Sequence, residues 1–229
     1  MPMIPICLKT DPGRPCLVVG GGPVALRKVV WLLECGARVE VLSPDFEGEL
    51  EALGLREPEK VKLRRDAYSP DDWAGDLARF QLVIAATDNP KVNRAVAQDA
   101  RRSGVPVNVV DQPELCAFYV PAVVQRGDLQ IAVLTSGASP SLAARIRGEL
   151  EEAYPAWYEI YALALGILRR EINQRPLDAS EKLGLLSTLA SRSVAEELKM
   201  QDLDHCLEQL RRLAATWLDR ANREKKGSK

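Results

Sequence analysis

Histidine is nearly absent from this chain: its 229 residues include one, His205. It lies in a helical pattern near the end of the chain, which favours an ordinary, partly exposed helix residue. A single histidine excludes a histidine-rich metal centre and leaves no second histidine to act as a general base. We therefore expect no resident metal ion.

Paired cysteines are lacking as well. The five cysteines are odd in number and form no C-x-x-C motif; they are Cys7, Cys16, Cys35, Cys116 and Cys206. This pattern excludes a disulfide framework and a zinc knuckle. We expect most of these side chains to be small buried apolar groups.

A dominant charge and a long apolar run are also missing. The 31 basic and 32 acidic residues leave a net charge of −1, so no global field attracts nucleic acid or an anionic membrane. No apolar run approaches the length of a membrane span, and the opening residues, MPMIPICLKTDPGRP, do not resemble a signal peptide. We expect a soluble, cytoplasmic protein that binds neither nucleic acid nor membrane.

The most informative stretch present is residues 16–45, CLVVGGGPVALRKVVWLLECGARVEVLSPD. An apolar run, a glycine cluster and apolar residues at helical steps predict a strand, a tight turn and a helix, and a second strand follows at residues 38–42. Gly20, Gly22 and Ala25 fit the G-x-G-x-x-G/A spacing between strand and helix, which is typical of a dinucleotide-binding βαβ unit. The alternative is an ordinary glycine turn in an α/β domain.

The same stretch suggests how a dinucleotide is held. Amides at the helix start, around Gly22, Pro23 and Val24, face the phosphates at the positive end of the helix dipole. The acidic residue expected at the end of the second strand is replaced by Ser43, and Pro44 and Asp45 follow. Asp45 is then the candidate for the ribose hydroxyl. No arginine follows in this loop to favour a 2′-phosphate, so NAD is preferred over NADP.

Two later strands end in polar residues. The strand LVIAATD delivers Thr87, Asp88 and Asn89, and the strand VPVNVV delivers Asn108 and Asp111. Carboxyl ends of parallel strands share one edge of a sheet, where ligands bind, so Thr87, Asp88 and Asn108 are candidate nucleotide contacts. For residues 87–89, capping of the next helix is an equally good interpretation.

Other patterns describe the remainder of the chain. Residues 4–8 are predicted to form an edge strand or to cover the core. Residues 118–124 and 130–135 read as a hairpin joined through Arg126-Gly127-Asp128, and Ser139 reads as the N-cap of the following helix. From residue 151 onward the apolar stripes are those of helices packed on one another. A hairpin outside the sheet needs burial elsewhere, and a dimer interface would provide it.

In this order, the motifs resemble those of the precorrin-2 dehydrogenase family of siroheme biosynthesis, whose members include bifunctional dehydrogenase/ferrochelatases and the amino-terminal part of siroheme synthases. The resemblance runs from residue 5 to about residue 150 through PICL, VVGGGPVALRK, GARVEVLSP, AATDN, VNVVDQPELCAFYVPA, RGDLQIAV and TSGASPSLAARIR. No methyltransferase domain follows in this sequence, so the chain resembles the stand-alone form.

The resemblance implies an α/β fold in three parts: a Rossmann NAD-binding domain (1–113), a hairpin-helix dimerisation segment (114–150) and a small all-helical domain (151–229), assembled as a homodimer. It implies NAD-dependent oxidation of precorrin-2 to sirohydrochlorin, to which some members add insertion of Fe²⁺. The important aspartate of the family maps onto Asp111. The nucleotide contacts of the family map onto Pro23, Val24, Pro44 and Asp45.

The residues are compatible with this chemistry. Asp111 is placed to act as a general base, or to stabilise positive charge, beside the nicotinamide; its alternative role is a turn cap before Pro113. Arg126 and Arg145, with Arg147, are candidates to bind the carboxylates of the substrate, although a helical charge is often only solvated. Thr135 and Ser136 offer hydroxyls near a helix start.

Three other functions stay open at this stage. The first is a dehydrogenase without chelatase activity, and the second is an NAD-sensing Rossmann regulatory module without catalysis. The third, an S-adenosylmethionine methyltransferase, is disfavoured because the close glycine spacing suits a pyrophosphate better.

Overall fold

The computed structural model describes residues 3–73, 75–200 and 202–227. The chain divides into two compact units, Met1–Val120 and Pro121–Lys229.

A five-stranded parallel sheet forms the centre of the first unit, with strand order β3-β2-β1-β4-β5. The strands are β1 (Cys16–Val19), β2 (Val39–Ser43), β3 (Val61–Arg65), β4 (Val83–Ala85) and β5 (Val107–Val109). Every residue of β1, β2, β4 and β5 is buried, as expected for a parallel sheet covered on both faces. The predicted α/β Rossmann fold is therefore confirmed.

Helices cover both faces of this sheet and two apolar clusters fill the space between them. The helices are α1 (Pro23–Glu34), α2 (Gly48–Arg56), α3 (Pro70–Trp73) and α4 (Pro90–Arg102). Pro23 begins α1 and Pro90 begins α4, because the missing amide of proline costs nothing in the first helical turn. Helix α1 therefore begins directly after the glycine cluster that follows β1.

The prediction for residues 4–8 was wrong. This segment forms no strand, and Ile4 and Ile6 are 85% and 78% exposed. Pro5 interrupts the run of backbone donors that a strand needs. The described segment also has no partner in the sheet, whose outer strands are β3 and β5.

The second unit begins with an antiparallel hairpin, β6 (Ala122–Arg126) and β7 (Leu129–Val133). Gly127 supplies the positive φ of 56° that the turn requires, so the predicted hairpin is confirmed. The helices that follow are α5 (Pro140–Ala153), α6 (Tyr158–Asn173), α7 (Ala179–Leu189), α8 (Arg192–Glu197) and α9 (Leu203–Gly227). A third apolar cluster joins α6 to α9, and His205 lies exposed on α9 as expected.

The hairpin and α5 pack within the second unit. Arg126 on β6 donates to the carbonyls of Glu151 and Tyr154 at the end of α5. The structure divides the chain seven residues after the predicted boundary at residue 113, and it groups most of the predicted dimerisation segment with the helices. None of the helices among the described residues is long and apolar enough to cross a membrane.

Candidate functional site

The carboxyl ends of the five parallel strands lie along one edge of the first unit. In sheet order, the residues at or just beyond these ends are Arg65, Ser43, Gly20, Thr87 and Asp111. With about 4.8 Å between neighbouring strands, this row is about 19 Å long. The chain order reverses between β1 and β4, and open α/β sheets bind their ligands at such a switch point. Gly20 stands there, with two strand ends on either side.

The glycine loop fits a dinucleotide pyrophosphate. Gly20 has a φ of 128°, and a Cβ there would lie 2.3 Å from the carbonyl oxygen of Ala86, so only glycine allows β1 to approach β4 this closely. Gly22 is the N-cap of α1; no side chain caps the helix, and a Cβ would meet no atom within 4 Å. Ala25 is fully buried against the sheet. The uncapped helix start therefore faces open space of the kind a phosphate needs.

The loop after β2 packs on this glycine loop. Gly21 accepts the amide hydrogen of Glu47, and a Cβ on Gly21 would lie 1.9 Å from the carbonyl oxygen of Asp45. Ser43 is buried at the end of β2, whereas Pro44 and Asp45 are exposed. The three predicted ribose-side residues are thus brought directly beside the predicted phosphate loop.

The loop after β2 contains no arginine, as expected, but the neighbouring strand brings one to the same position. Arg65, the last residue of β3, is in parallel register with Ser43, and its Nη1 lies 3.5 Å from Asp45 Oδ1 and 3.4 Å from the Pro44 carbonyl oxygen. The residue was missed because it comes from the next strand of the sheet and not from the loop. The signal that would have found it is the shared edge of parallel strands.

The turn after β4 caps the next helix, as one of the two interpretations of the sequence predicted, and the nucleotide contact stays a prediction. Asn89 caps α4, because its side chain accepts the amide hydrogens of Lys91 and Val92. Thr87 lies close to Gly20, since a Cβ added there would lie 3.2 Å from the Thr87 amide nitrogen. Asp88 is exposed between them.

Sequence reasoning missed a residue that fixes this turn. Asn93 on α4 is 3% exposed, and its side chain bonds three groups of Thr87. Asn93 Oδ1 accepts from the Thr87 amide and hydroxyl at 3.2 and 2.7 Å, and Nδ2 donates to the Thr87 carbonyl oxygen at 3.0 Å. A buried amide with both ends bonded to one residue holds that residue in a single position.

Asp111 leaves the sheet beside the end of β4, since the amide of Val110 donates to the Ala85 carbonyl oxygen. It is exposed, and its carboxylate forms no hydrogen bond with the residues that the structure describes. Its φ of 59° places it in the left-handed region, which costs energy for a residue other than glycine and is found at functional sites. The proposed capping role before Pro113 has no counterpart in these contacts.

Asn108 and Cys116 hold the segment that follows Asp111. Asn108 is buried, and Nδ2 donates to the carbonyl oxygen of Phe118 at 2.9 Å. The Cys116 thiol donates to the carbonyl oxygen of Val109, and burial raises the pKa of this thiol. Both side chains therefore have structural partners, and the predicted nucleotide contact of Asn108 stays a prediction.

The predicted substrate residues belong to the second unit. All three nitrogens of the Arg126 guanidinium donate to backbone carbonyls. Thr135 Oγ1 bonds the backbone of Ser139, whereas Ser136 is exposed with a φ of 55°. Arg145 is exposed and paired with Glu149 on the next turn of α5. Of this set, Ser136 and Arg145 present polar groups to solvent, and Arg126 has a clear structural role.

Two family models match the chain. One, described as NAD(P)-binding, matches residues 10–122. The other, described as the central part of a siroheme biosynthesis protein, matches residues 126–153. The two matches follow the division between the units that the structure shows.

Curated relatives and a solved structure agree with these models. A siroheme synthase of Methylococcus capsulatus is 43% identical over 76% of this chain, and one of Pseudomonas putida W619 is 39% identical over 86%. The chain spans 35% and 41% of those two relatives. The structure of the precorrin-2 dehydrogenase SirC matches with a TM-score of 0.70 and 26% identity, over 92% of this chain and 100% of that one.

Proposed function

Because the chain belongs to the siroheme-biosynthesis family of NAD(P)-binding proteins, we propose that it catalyses the NAD-dependent oxidation of precorrin-2 to sirohydrochlorin. The observation that carries this proposal is the row of strand ends from Arg65 through Gly20 to Asp111. In this row the glycine loop lies in the middle, the side chains that we assign to the ribose lie on one side, and the exposed carboxylate of Asp111 lies on the other.

Different residues of the chain bind different parts of NAD. The amides at the start of α1, around Gly22 and Val24, bind the pyrophosphate without competition from a capping side chain. Asp45, which follows Ser43 and Pro44 in the loop after β2, accepts a hydrogen bond from a ribose hydroxyl. Across the switch point, Thr87 and Asp88 contact the half of the dinucleotide that carries the nicotinamide.

The chemical step then needs one proton acceptor. When bound, NAD would supply the acceptor for a hydride from the reduced macrocycle. Oxidation of the substrate must also release a proton, and Asp111 would accept it at its exposed carboxylate. The backbone on either side of Asp111 is fixed, because the Val110 amide donates to the Ala85 carbonyl oxygen and the Gln112 amide donates to that of Val109.

The second unit supplies contacts for the carboxylates of the substrate. We assign this role to Thr135, Ser136 and Arg145. Arg145 is supported by its exposure and by a pairing partner, Glu149, only four residues away on α5, which an incoming carboxylate can replace. Arg126 contributes by holding β6 to the end of α5.

We also propose a homodimer formed through the hairpin. A two-stranded sheet is marginal by itself, and its outer edges offer unpaired backbone groups. Leu134 and Leu142, which follow the hairpin, are exposed apolar side chains in the same unit. The measurement is the molar mass in solution; a monomer across the micromolar range would contradict the assignment. The five free thiols support a reducing compartment, the cytoplasm.

The function is tested by anaerobic turnover of freshly generated precorrin-2 with NAD, followed by absorbance. The informative variant is Asp111→Asn, because asparagine tolerates a positive φ and loses only the charge. We expect native NAD affinity with oxidation slowed about a hundredfold or more. Oxidation at the parental rate would remove Asp111 from the mechanism, and NAD binding without turnover by the parent protein would favour the sensory module.

Fe²⁺ enters the same assay as a second substrate. The unbonded carboxylate of Asp111 is also suited to take pyrrole protons during metal insertion, and this observation favours including the step. Because Asp111→Asn is expected to block oxidation, metal insertion is tested with sirohydrochlorin supplied directly. Formation of siroheme from it by the parent protein, and its loss in Asp111→Asn, would assign both reactions to one residue. Sirohydrochlorin that stays metal-free with Fe²⁺ present would limit the protein to oxidation.

A further inference from the structure

The adenosine end of the proposed NAD site contains an acidic and a basic group in contact. Asp45 is 97% exposed and Arg65 is 56% exposed, and they form an ion pair of 3.5 Å. Arg65 is also paired with Glu51 on α2, and its guanidinium stands 5.3 Å from the centre of the Phe46 ring. The arginine is thus held at the sheet edge by contacts that do not depend on Asp45.

These two groups have opposite preferences for the two nicotinamide dinucleotides. A carboxylate after the second strand accepts a hydrogen bond from the 2′-hydroxyl of NAD, whereas an arginine nearby binds the 2′-phosphate of NADP. Two carboxylates, those of Asp45 and Glu51, pair with Arg65 here. A 2′-phosphate would meet the exposed carboxylate of Asp45 before it could pair with the guanidinium.

We propose that Asp45 and Arg65 together determine the choice of cofactor. Asp45 favours NAD by accepting a hydrogen bond from its 2′-hydroxyl. It also pairs with Arg65, so that the guanidinium is not available to bind a phosphate. This inference rests on the proposed NAD site and goes beyond it by naming the residue that excludes NADP. Loss of Asp45 alone therefore opens the site to NADP, with no new basic residue required.

The position of the pair supports the proposal. Arg65 is in register with Ser43, and a Cβ on Gly21 would lie 2.7 Å from Ser43 Oγ and 1.9 Å from the Asp45 carbonyl oxygen. The ribose next to a pyrophosphate on the glycine loop therefore comes within reach of both side chains. The Ser43 hydroxyl bonds no other described residue, so it can donate a hydrogen bond to that pyrophosphate.

The experiment measures dissociation constants of NAD and NADP by calorimetry, together with precorrin-2 oxidation by each. The variants are Asp45→Ser, Arg65→Ala and the double variant, with Glu49→Ser as the matched control. Glu49 is an exposed acid in the first turn of α2, so its removal changes the net charge equally. We expect Asp45→Ser to bind NADP about tenfold more tightly and NAD about tenfold more weakly. Glu49→Ser keeps the parental ratio.

The double variant decides the role of Arg65. We expect it to lose the gain in NADP affinity while keeping the weakened NAD binding. The inference is overturned if the gain survives without Arg65, if Glu49→Ser reproduces it, or if the parent protein binds NADP as tightly as NAD. If neither dinucleotide binds the parent, the proposed NAD site itself is wrong. A shifted binding ratio without any oxidation of precorrin-2 would support this inference and contradict the proposed reaction.

Discussion

Two glycines of one loop give the sharpest separation of folding from binding in this protein. Gly20 and Gly22 are both part of the dinucleotide pattern, yet their surroundings differ. A Cβ on Gly20 would lie 2.3 Å from the Ala86 carbonyl oxygen, whereas a Cβ on Gly22 would meet nothing within 4 Å. Alanine at Gly20 should therefore damage the fold, and alanine at Gly22 should damage only NAD binding.

The magnitudes follow from the backbone. Gly20 has a φ of 128°, a conformation that costs an alanine about 1–3 kcal/mol, and moving β4 away from the new methyl adds about 1–3 kcal/mol. Together, about 4 kcal/mol is a large part of the stability of an ordinary domain. Gly22 has a φ of −90°, which alanine adopts freely. A small loss of N-cap quality and a small gain from the unfolded state leave a net change within about 0.5 kcal/mol.

NAD affinity, in contrast, should respond most clearly to the substitution at Gly22. The methyl of Gly22→Ala occupies the open space in front of the α1 amides and keeps the phosphates away from them. Loss of one or two charge-assisted hydrogen bonds weakens NAD at least about a hundredfold, equivalent to about 2.7 kcal/mol. Urea denaturation measures the stability of both variants, and calorimetric titration measures NAD affinity. Native NAD affinity in Gly22→Ala, or native stability in Gly20→Ala, would refute the reasoning.

Three further substitutions test the surrounding network. Asn93→Ala leaves the Thr87 turn without its buried side-chain amide, so NAD affinity should fall about tenfold and the protein should lose about 2 kcal/mol of stability. Asn93→Asp keeps the hydrogen-bond acceptor and should recover part of the NAD affinity. The Arg79 guanidinium holds the pKa of Glu40 below its ordinary value of 4.5, so the stability supplied by Glu40 is present at neutral pH and is lost as the pH falls below about 4.5. Arg79→Ala should cost about 2 kcal/mol at pH 7 and remove this acid dependence, as measured by urea denaturation across pH; an unchanged acid limb would contradict the assignment. Arg126→Ala should destabilise the second unit by about 2 kcal/mol without changing NAD affinity, as shown by protease resistance of residues 121–229 and by titration.

Much of the first unit could be predicted because its signals are local. The glycine spacing, Pro23 and the apolar periodicity of α1 all lie within one short stretch, and each agrees with the others. The ligand-edge residues Thr87 and Asp111 followed from the rule that parallel strands share an edge. These deductions require strand direction but no knowledge of which strands are neighbours.

The residues that sequence reasoning missed depend on neighbours in space. Arg65 reaches Asp45 because β3 lies beside β2, and periodicity does not give strand order. Asn93 matters through side-chain hydrogen bonds, and Arg126 caps a helix end 28 residues away. The opening segment containing Ile4 and Ile6 has an apolar pattern without a sheet edge to receive it, so its exposure was not visible from composition.

The division of the chain at residue 120 has a consequence for biosynthesis. Every strand of the parallel sheet, and every residue assigned to NAD, precedes that division, whereas the contacts proposed for precorrin-2 carboxylates follow it. A ribosome adding about 5–20 residues per second needs roughly 5–20 seconds to make residues 121–229. Mixed α/β domains commonly fold faster than that. We therefore expect the nascent chain to acquire its dinucleotide site before residues 121–229 are complete, so that NAD can stabilise the first unit during translation.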